Sequence, residues 1–408
     1  VTPRVITGVG VASTLGIGRA AFVAALCEGQ RAAEGDRRVE TFDASVYAGA
    51  RVAEVRGFDA TQYLGDKGLR TLDRLAKLLV VSARLALHDS GLKKDGVWAP
   101  PRSVSKHVSA PRTWPERVGI VVSNAYGSLE AITELDRVAV LEDARYINPS
   151  RFPLTVSNSA AGYVSIWEDL RAVNVSVSDG NCGALDAIAC ADVLLEQGRA
   201  DALLVGGAEA MSEPLFLAFH RLGAAGSRAT PGLKATEGPC IGEAAGLAVL
   251  ERAETARARS ADVLAEIIGY GTSFAPPERE SSLVHATPVA IEQAIVDALN
   301  DAQIGARQVD VVISGISGLR AFDEAELLAI ERVLGADTCV VAPKLALGET
   351  LGAGGAMGML AALAYLHPNA ARTHGVRGTF RSEVRTALIT SLGYYGNASA
   401  LVMRAATR

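Results

Sequence analysis

Short apolar runs alternate with amphipathic stretches along the whole chain, and that alternation predicts an α/β protein. Val5–Val9 reads as a buried strand, and a Gly-rich turn leads from it into a helix near Arg19–Glu28. Leu72–Ser90 has helical periodicity, with Leu75, Leu78, Leu79 and Ala86 on related faces. Further strands are predicted at Val118–Ser123, Asn174–Ser178, Ala202–Gly206 and Leu247–Leu250, with a helix at Leu185–Glu196. A Glu- and Arg-rich turn, Glu251–Arg259, closes this series. The order then restarts with strand Ile267–Tyr270, helix Val289–Ala302, strand Val309–Ile313, helix Phe322–Leu334 and strand Cys339–Ala342. Helix Ala353–Tyr365 and strands Ala387–Thr390 and Ala400–Met403 complete it. The recurrence predicts a duplicated architecture with halves 1–255 and 256–408, without a convincing repeat at the level of residues. Lys93–Glu116, rich in Pro, Ser and basic residues, is expected to be a surface excursion.

Composition narrows the function. The 408 residues are 49% hydrophobic, enough for a large core. Charged residues make up 21% and the net charge is -5, which argues against a nucleic-acid binder. Five scattered cysteines form no Cys-x-x-Cys pair, so neither a zinc site nor any other metal site is expected, and reduced thiols in a cytoplasm are. No apolar run reaches membrane-spanning length, and no charged segment followed by an apolar one opens the chain. Gly pairs such as Gly206-Gly207 read as tight turns, because the strand–GxxxxGK[ST]–helix arrangement of a phosphate loop is absent. No cofactor is expected.

Several segments, in colinear order over nearly the whole chain, resemble the β-ketoacyl synthases of the thiolase-like superfamily. They are Val5-Ile-Thr-Gly-Val-Gly-Val11 with Leu15-Gly-Ile-Gly18, Phe58-Asp59, Leu72-Asp-Arg74 and Asn174-Val-Ser-Val-Ser178. Asp201 through Glu209, Gly242 through Gly246, Val249-Leu-Glu251, Lys344 through Gly355 and Ser391-Leu-Gly-Tyr-Tyr-Gly396 continue the series. The resemblance implies a duplicated α-β-α-β-α sandwich and an obligate dimer. It also implies a nucleophile elbow at Val177-Ser-Asp-Gly-Asn-Cys-Gly-Ala-Leu-Asp-Ala-Ile188.

In that family a cysteine at a helix N-terminus carries the acyl chain, favoured as thiolate by the helix dipole. Two histidines assist decarboxylation and stabilise the developing negative charge. All three matching positions are altered here. The cysteine position is Asn181, with Cys182 one residue later. The first histidine position is Gly315, in an alignment anchored by Asp323 and Glu326, and the second is Glu349. A carboxylate there would repel an enolate. Lys344 is retained and reads as structural. Cys182 reads as a small buried thiol, its side chain about 100° around the helix from that of Asn181. Asp186, Glu209 and Glu243 read as structural carboxylates. His88, His107, His220, His285, His367 and His374 fall in neither histidine motif.

Loss of the three groups on a kept scaffold resembles the chain-length factor, the ketosynthase-like β subunit of type II polyketide synthases. That resemblance implies a noncatalytic partner of an active ketosynthase, working with an acyl carrier protein. Asn in place of the group's usual Gln points away from aromatic polyketides, toward polyene or other reduced chains. The helix matching the tunnel wall is expected over about 127–140, with Leu129, Ile132, Thr133 and Asp136 on one face. Asn158, Ala160, Ala161 and Tyr163 lie in a small-residue segment expected at the dimer interface. Two alternatives stand beside this reading: a divergent acyltransferase or condensing enzyme using Cys182, and a homodimeric acyl-binding or carrier-docking protein.

Overall fold

Two sets of five strands join edge to edge in one continuous sheet. The first set is β1 (Arg4–Ser13), β2 (Val118–Ser123), β3 (Asn174–Val177), β4 (Ala202–Glu209) and β5 (Ala244–Arg252). The second is β6 (Ala265–Phe274), β7 (Val311–Ile313), β8 (Val340–Val341), β9 (Thr386–Leu392) and β10 (Asn397–Ala405). The computed structural model describes residues 3–31, 39–47, 51–99, 113–222, 239–277, 284–367 and 372–406. Each set has the spatial order third, second, fourth, fifth, first, and β1 meets β6 at the seam. Directions repeat as well. β2 runs parallel to β3 and β4, as β7 does to β8 and β9, while the remaining neighbours are antiparallel.

Among the described residues, nine α-helices of nine residues or more complete the frame. They are α1 (Arg19–Cys27), α2 (Arg74–Asp89), α3 (Leu129–Val138), α4 (Ser159–Glu168), α5 (Gly183–Glu196), α6 (Glu213–Arg221), α7 (Pro288–Asp301), α8 (Arg320–Leu334) and α9 (Gly354–Leu366). α5 and α9 form the central layer, where Leu185, Ile188, Met357 and Leu360 pack with Val121, Leu203, Ile313 and Ile389 from both sets. α2 and α4 cover the opposite face of the first set, and α7 and α8 that of the second. The result is the predicted α-β-α-β-α sandwich. In β2, Val121 points to the central layer and Ile120 and Val122 to the outer one. Both faces are buried, so such strands read as continuous apolar runs.

The duplication does reach individual residues, contrary to expectation. Gly8 and Gly10 in β1 lie against α2, and a Cβ at either would collide with backbone at Ser82, Ala86 or Ser90. Gly269 and Gly271 in β6 lie the same way against α7, at Ala294, Ala298 and Ala302. A Gly-x-Gly pair in each first strand lets one helix per half approach the sheet closely.

Two local expectations change. Glu251–Arg259 is not a solvated turn: β5 runs to Arg252, and a short helix follows at Ala253–Ala258. Glu251 is buried, with its oxygens taken by Thr7 and Arg259, so its charge does not mark a surface. The Lys93–Glu116 excursion contains a small ladder between Lys93–Lys94 and Val97–Trp98. Its Lys93 is buried and donates to the Glu168 carboxylate at 2.9 Å. His107 lies outside the described residues.

Candidate functional site

The elbow forms where the chain turns from β3 into α5. Gly180, at φ +54°, makes the turn that an ordinary side chain would strain. Gly183 opens the helix against Ser123, leaving no room for a Cβ. Asn181, 3% exposed, lines a cavity of about 170 Å³ with Ala125, Tyr126, Ser178, Asp179, Gly180, Tyr394, Tyr395 and Asn397. Its carbonyl accepts from Ser391 Oγ at 2.7 Å. Cys182 turns away into the core. It is fully buried, and its Sγ donates to the Ser391 carbonyl at 3.3 Å. Burial, reinforced by Asp186 and Asp179, pushes its thiol far above the ordinary range. The thiolate that nucleophilic chemistry requires is therefore suppressed.

Glu349 and Gly315, the positions matched to the two histidines by resemblance, are each held by buried partners. Lys344 Nζ sits 3.0 Å from both Glu349 oxygens, and Leu351 N donates to Oε1 at 2.9 Å. Both side chains of this pair are buried. Gly315 N donates to Glu326 Oε1 at 2.8 Å, and Thr390 Oγ1 donates to the same oxygen. Asp323 accepts from Ser317 N and Gly318 N, so the two acids that anchored the alignment also tether the loop. Burial raises the Glu326 carboxyl to about 7.

Glu209 and Glu243 hold the frame. Glu209 is fully buried and accepts from Ala125 N at 2.7 Å and from Tyr126 N and Gly352 N at 3.3 Å. Burial lifts its carboxyl to about 7 against the pull of these amides. Glu243 takes the Arg74 guanidinium and the amides of Val55 and Met211. Asp186 accepts from Tyr270 Oη at 2.5 Å and Ser399 Oγ at 2.6 Å, so it links the two halves rather than facing the cavity. Its carboxyl is raised by burial and by Asp179.

The expected tunnel residues fall on α3, which begins close to the elbow. Leu129 packs against the cluster that holds Met211, Leu215 and Phe216, as do Ala125 and Tyr394. Ile132 is half-buried, and Thr133 and Asp136 are exposed. The expected interface residues divide differently. Asn158 is exposed and Tyr163 half-buried, whereas Ala160 and Ala161 lie in the chain's own core, against α2. Their small side chains serve close packing of α4 on α2 within the chain.

None of the described histidines lines the elbow cavity. His220 stacks on Phe216, and His285 Nε2 lies 2.9 Å from the Ala275 carbonyl. His88 is exposed in the last turn of α2. Sequence reasoning missed Tyr126, Tyr394 and Asn397. Tyr394 and Tyr395 lay within a noted Gly-rich loop, and nothing marked which side chain would turn inward. Among the described residues no cluster of His, Cys, Asp or Glu is arranged to hold a metal, and no helix is long and apolar enough to cross a membrane.

Comparison with known proteins gives one consistent answer. Residues 3–256 match the model of the β-ketoacyl synthase N-terminal domain, and residues 264–373 that of the C-terminal domain. The 3-oxoacyl-(acyl-carrier-protein) synthase 2 of Vibrio harveyi is 30% identical over 367 residues, covering 86% of this chain and 83% of that protein. The tetracenomycin polyketide synthase ketoacyl synthase alpha subunit of Streptomyces glaucescens is 31% identical over 388 residues, covering 89% and 84%. The fold superimposes over the full length of both chains on the ishigamide ketosynthase/chain length factor, with a TM-score of 0.84 at 24% identity. Matched along both halves, and folded as a duplicated α/β sandwich around a nucleophile elbow, this chain belongs to the β-ketoacyl synthase family.

Proposed function

We propose that this chain is a noncatalytic ketosynthase-like subunit, a chain-length factor, that pairs with an active ketosynthase and shapes its acyl tunnel in type II polyketide or polyene biosynthesis. The observation that carries the reading is the sealed Lys344–Glu349 pair. A carboxylate fixed at the second histidine position, bound by a buried cation and an amide, has no capacity to stabilise an enolate. Asn181 at the nucleophile position and the tethered Gly315 support the same conclusion.

Surface composition supports a partner. Val140, Leu141, Tyr146, Phe152, Val156 and Ile166 are 48–80% exposed along the segment from the end of α3 through α4. The adjacent β3 is the outermost strand of its set. Contiguous exposed apolar groups of this kind mark interaction surfaces, and an unpaired edge invites pairing. The proposed partner is an active ketosynthase subunit, with an acyl carrier protein serving the complex. Thr133 and Asp136, exposed on α3, would help wall the partner's tunnel, with Leu129 and Ile132 behind them. Overfilling a packed tunnel by a methylene costs roughly 1–3 kcal/mol, about 5- to 150-fold in selection between chain lengths.

The alternative that uses Cys182 as nucleophile is weakened by the burial of that thiol. A homodimer would need the same exposed surface. Co-expression with an active ketosynthase of the family and its acyl carrier protein tests the reading. The expected result is a stable heterodimer whose products shorten when Ile132 or Thr133 is replaced by Trp. A stable homodimer that rejects the ketosynthase would overturn it.

A further inference from the structure

α3, the helix proposed to wall the tunnel, is not held by its own packing. Of its 10 residues only Ala131 is buried, and Val140 and Leu141 just beyond its end are 80% and 73% exposed. A helix this short gains most of its stability from the apolar face it packs, and this one packs little. Its place is therefore set where it begins.

The turn at 124–128, which leads from β2 into α3, is pinned on several sides. Glu209, fully buried at the end of β4, accepts from Ala125 N at 2.7 Å through Oε2 and from Tyr126 N at 3.3 Å through Oε1. The amide of Gly127 also favours its charged form. Asn124 Nδ2 donates to the Ser157 carbonyl at 2.8 Å, and Ser128 Oγ donates to Asp73, which also caps α2. Gly352 closes the remaining side. Its amide donates to Glu209 Oε2 at 3.3 Å, and a Cβ there would collide with the backbone of Asn124 and Ala125.

Glu209 holds more of this turn than any other side chain. Hydrogen bonds to an ionised acceptor are roughly twice as strong as neutral ones. Both of its oxygens meet N–H donors, so the site fits an acceptor-only group, and an amide of the same shape would turn its own N–H groups on one of them. Glu209 does not line the elbow cavity, although Ala125 and Tyr126 do.

We infer that Glu209 is the positioning residue of α3: its carboxylate fixes the turn at 124–128, and the turn fixes where the tunnel wall stands. Glu209 touches no acyl chain itself, and its effect on product length rests on the chain-length reading above.

Hydrogen exchange read by mass spectrometry tests the clamp on the folded protein, with its partner subunit if the two are isolated together. At pH 8 the Glu209 carboxyl, raised to about 7, is ionised. Glu209→Gln is expected to speed exchange over 129–138 about tenfold and to leave α2 and α5 as they are. Gly352→Ala presses on the same turn from the other side and is expected to do the same, so a folding defect in one variant leaves the other to decide. Glu251, a buried acid at the opposite end of the β4–β5 pair, supplies the control. Glu251→Gln is expected to change neither α3 exchange nor product length. In the complex with ketosynthase and carrier protein, Glu209→Gln is expected to add a product length that the wild type does not make. Exchange over 129–138 that is unchanged in both folded variants, or raised equally in every helix, would overturn the inference. So would unchanged product lengths in Glu209→Gln where Thr133→Trp shortens them. If exchange rises over α3 alone and neither Glu209→Gln nor Thr133→Trp alters the products, the clamp stands and the chain-length reading fails.

Discussion

The buried acids of the frame and the buried polar groups of the elbow are treated in opposite ways. Glu209, Glu243, Glu251 and Glu326 each hold two or more donors, and those bonds tie strands, loops and helices together. Around the elbow, Ser123 Oγ, Asn124 Oδ1, Thr350 Oγ1 and Asn397 Oδ1 have none. The difference separates groups that hold the fold together from groups that the fold leaves unbonded. Glu349 lies at the border: the resemblance sets it at a catalytic position, yet it is paired as the frame acids are.

The largest expected effect tests that border. Lys344→Ala strands a buried carboxylate and is expected to destabilise the chain by ~3–5 kcal/mol in chemical denaturation. Replacing both partners, as Lys344→Met with Glu349→Leu, is expected to recover most of the loss. A harmless Lys344→Ala would move Glu349 out of the frame group.

Next comes pH. Glu209 and Glu326 have carboxyls raised from 4.5 to about 7 in the folded chain. The folded form keeps these protons where the unfolded chain has lost them, so their contribution is complete below about pH 4.5 and lost as pH rises through about 7. Each group accounts for roughly 3 kcal/mol across that window. Denaturation midpoints measured at pH 5 and 8 should show the fall, and Glu326→Gln should remove about half of it.

A smaller effect is expected at the repeated glycines. Gly8→Ala and Gly269→Ala press on matching backbone in α2 and α7, and comparable losses of ~1–3 kcal/mol are expected. Unequal losses would show that the two halves share topology without sharing packing. Smallest is Cys182→Ala, expected to cost about 1 kcal/mol and to leave product length unchanged when assayed with the partner.

Much of the frame was legible because its strands are buried on both faces and its helices keep a regular apolar period. Pro288 at the start of α7 and Asp73 capping α2 mark boundaries that the sequence placed within two residues. Charge misled where it was buried: Glu251 and Lys93 looked like surface markers and are held inside by Arg259 and Glu168. The small residues of α4 announced close packing, but not whether the neighbour was α2 or another chain. The Gly-x-Gly repeat went unnoticed because two glycines carry little signal until the helix they admit is known. At the elbow, one-residue spacing separated Asn181 from Cys182, and the fold sends one to the cavity and the other to the core. The inward turn of Tyr394 depends on packing against Phe219 and Phe322, from distant parts of the chain.

On the proposed function, this elbow carries no acyl group. Intact-protein mass spectrometry of the co-expressed pair, after incubation with an acyl-loaded carrier protein, tests it most directly. An acyl adduct is expected on the ketosynthase partner and none on this chain. An acyl adduct on this chain that maps to Cys182 would contradict it.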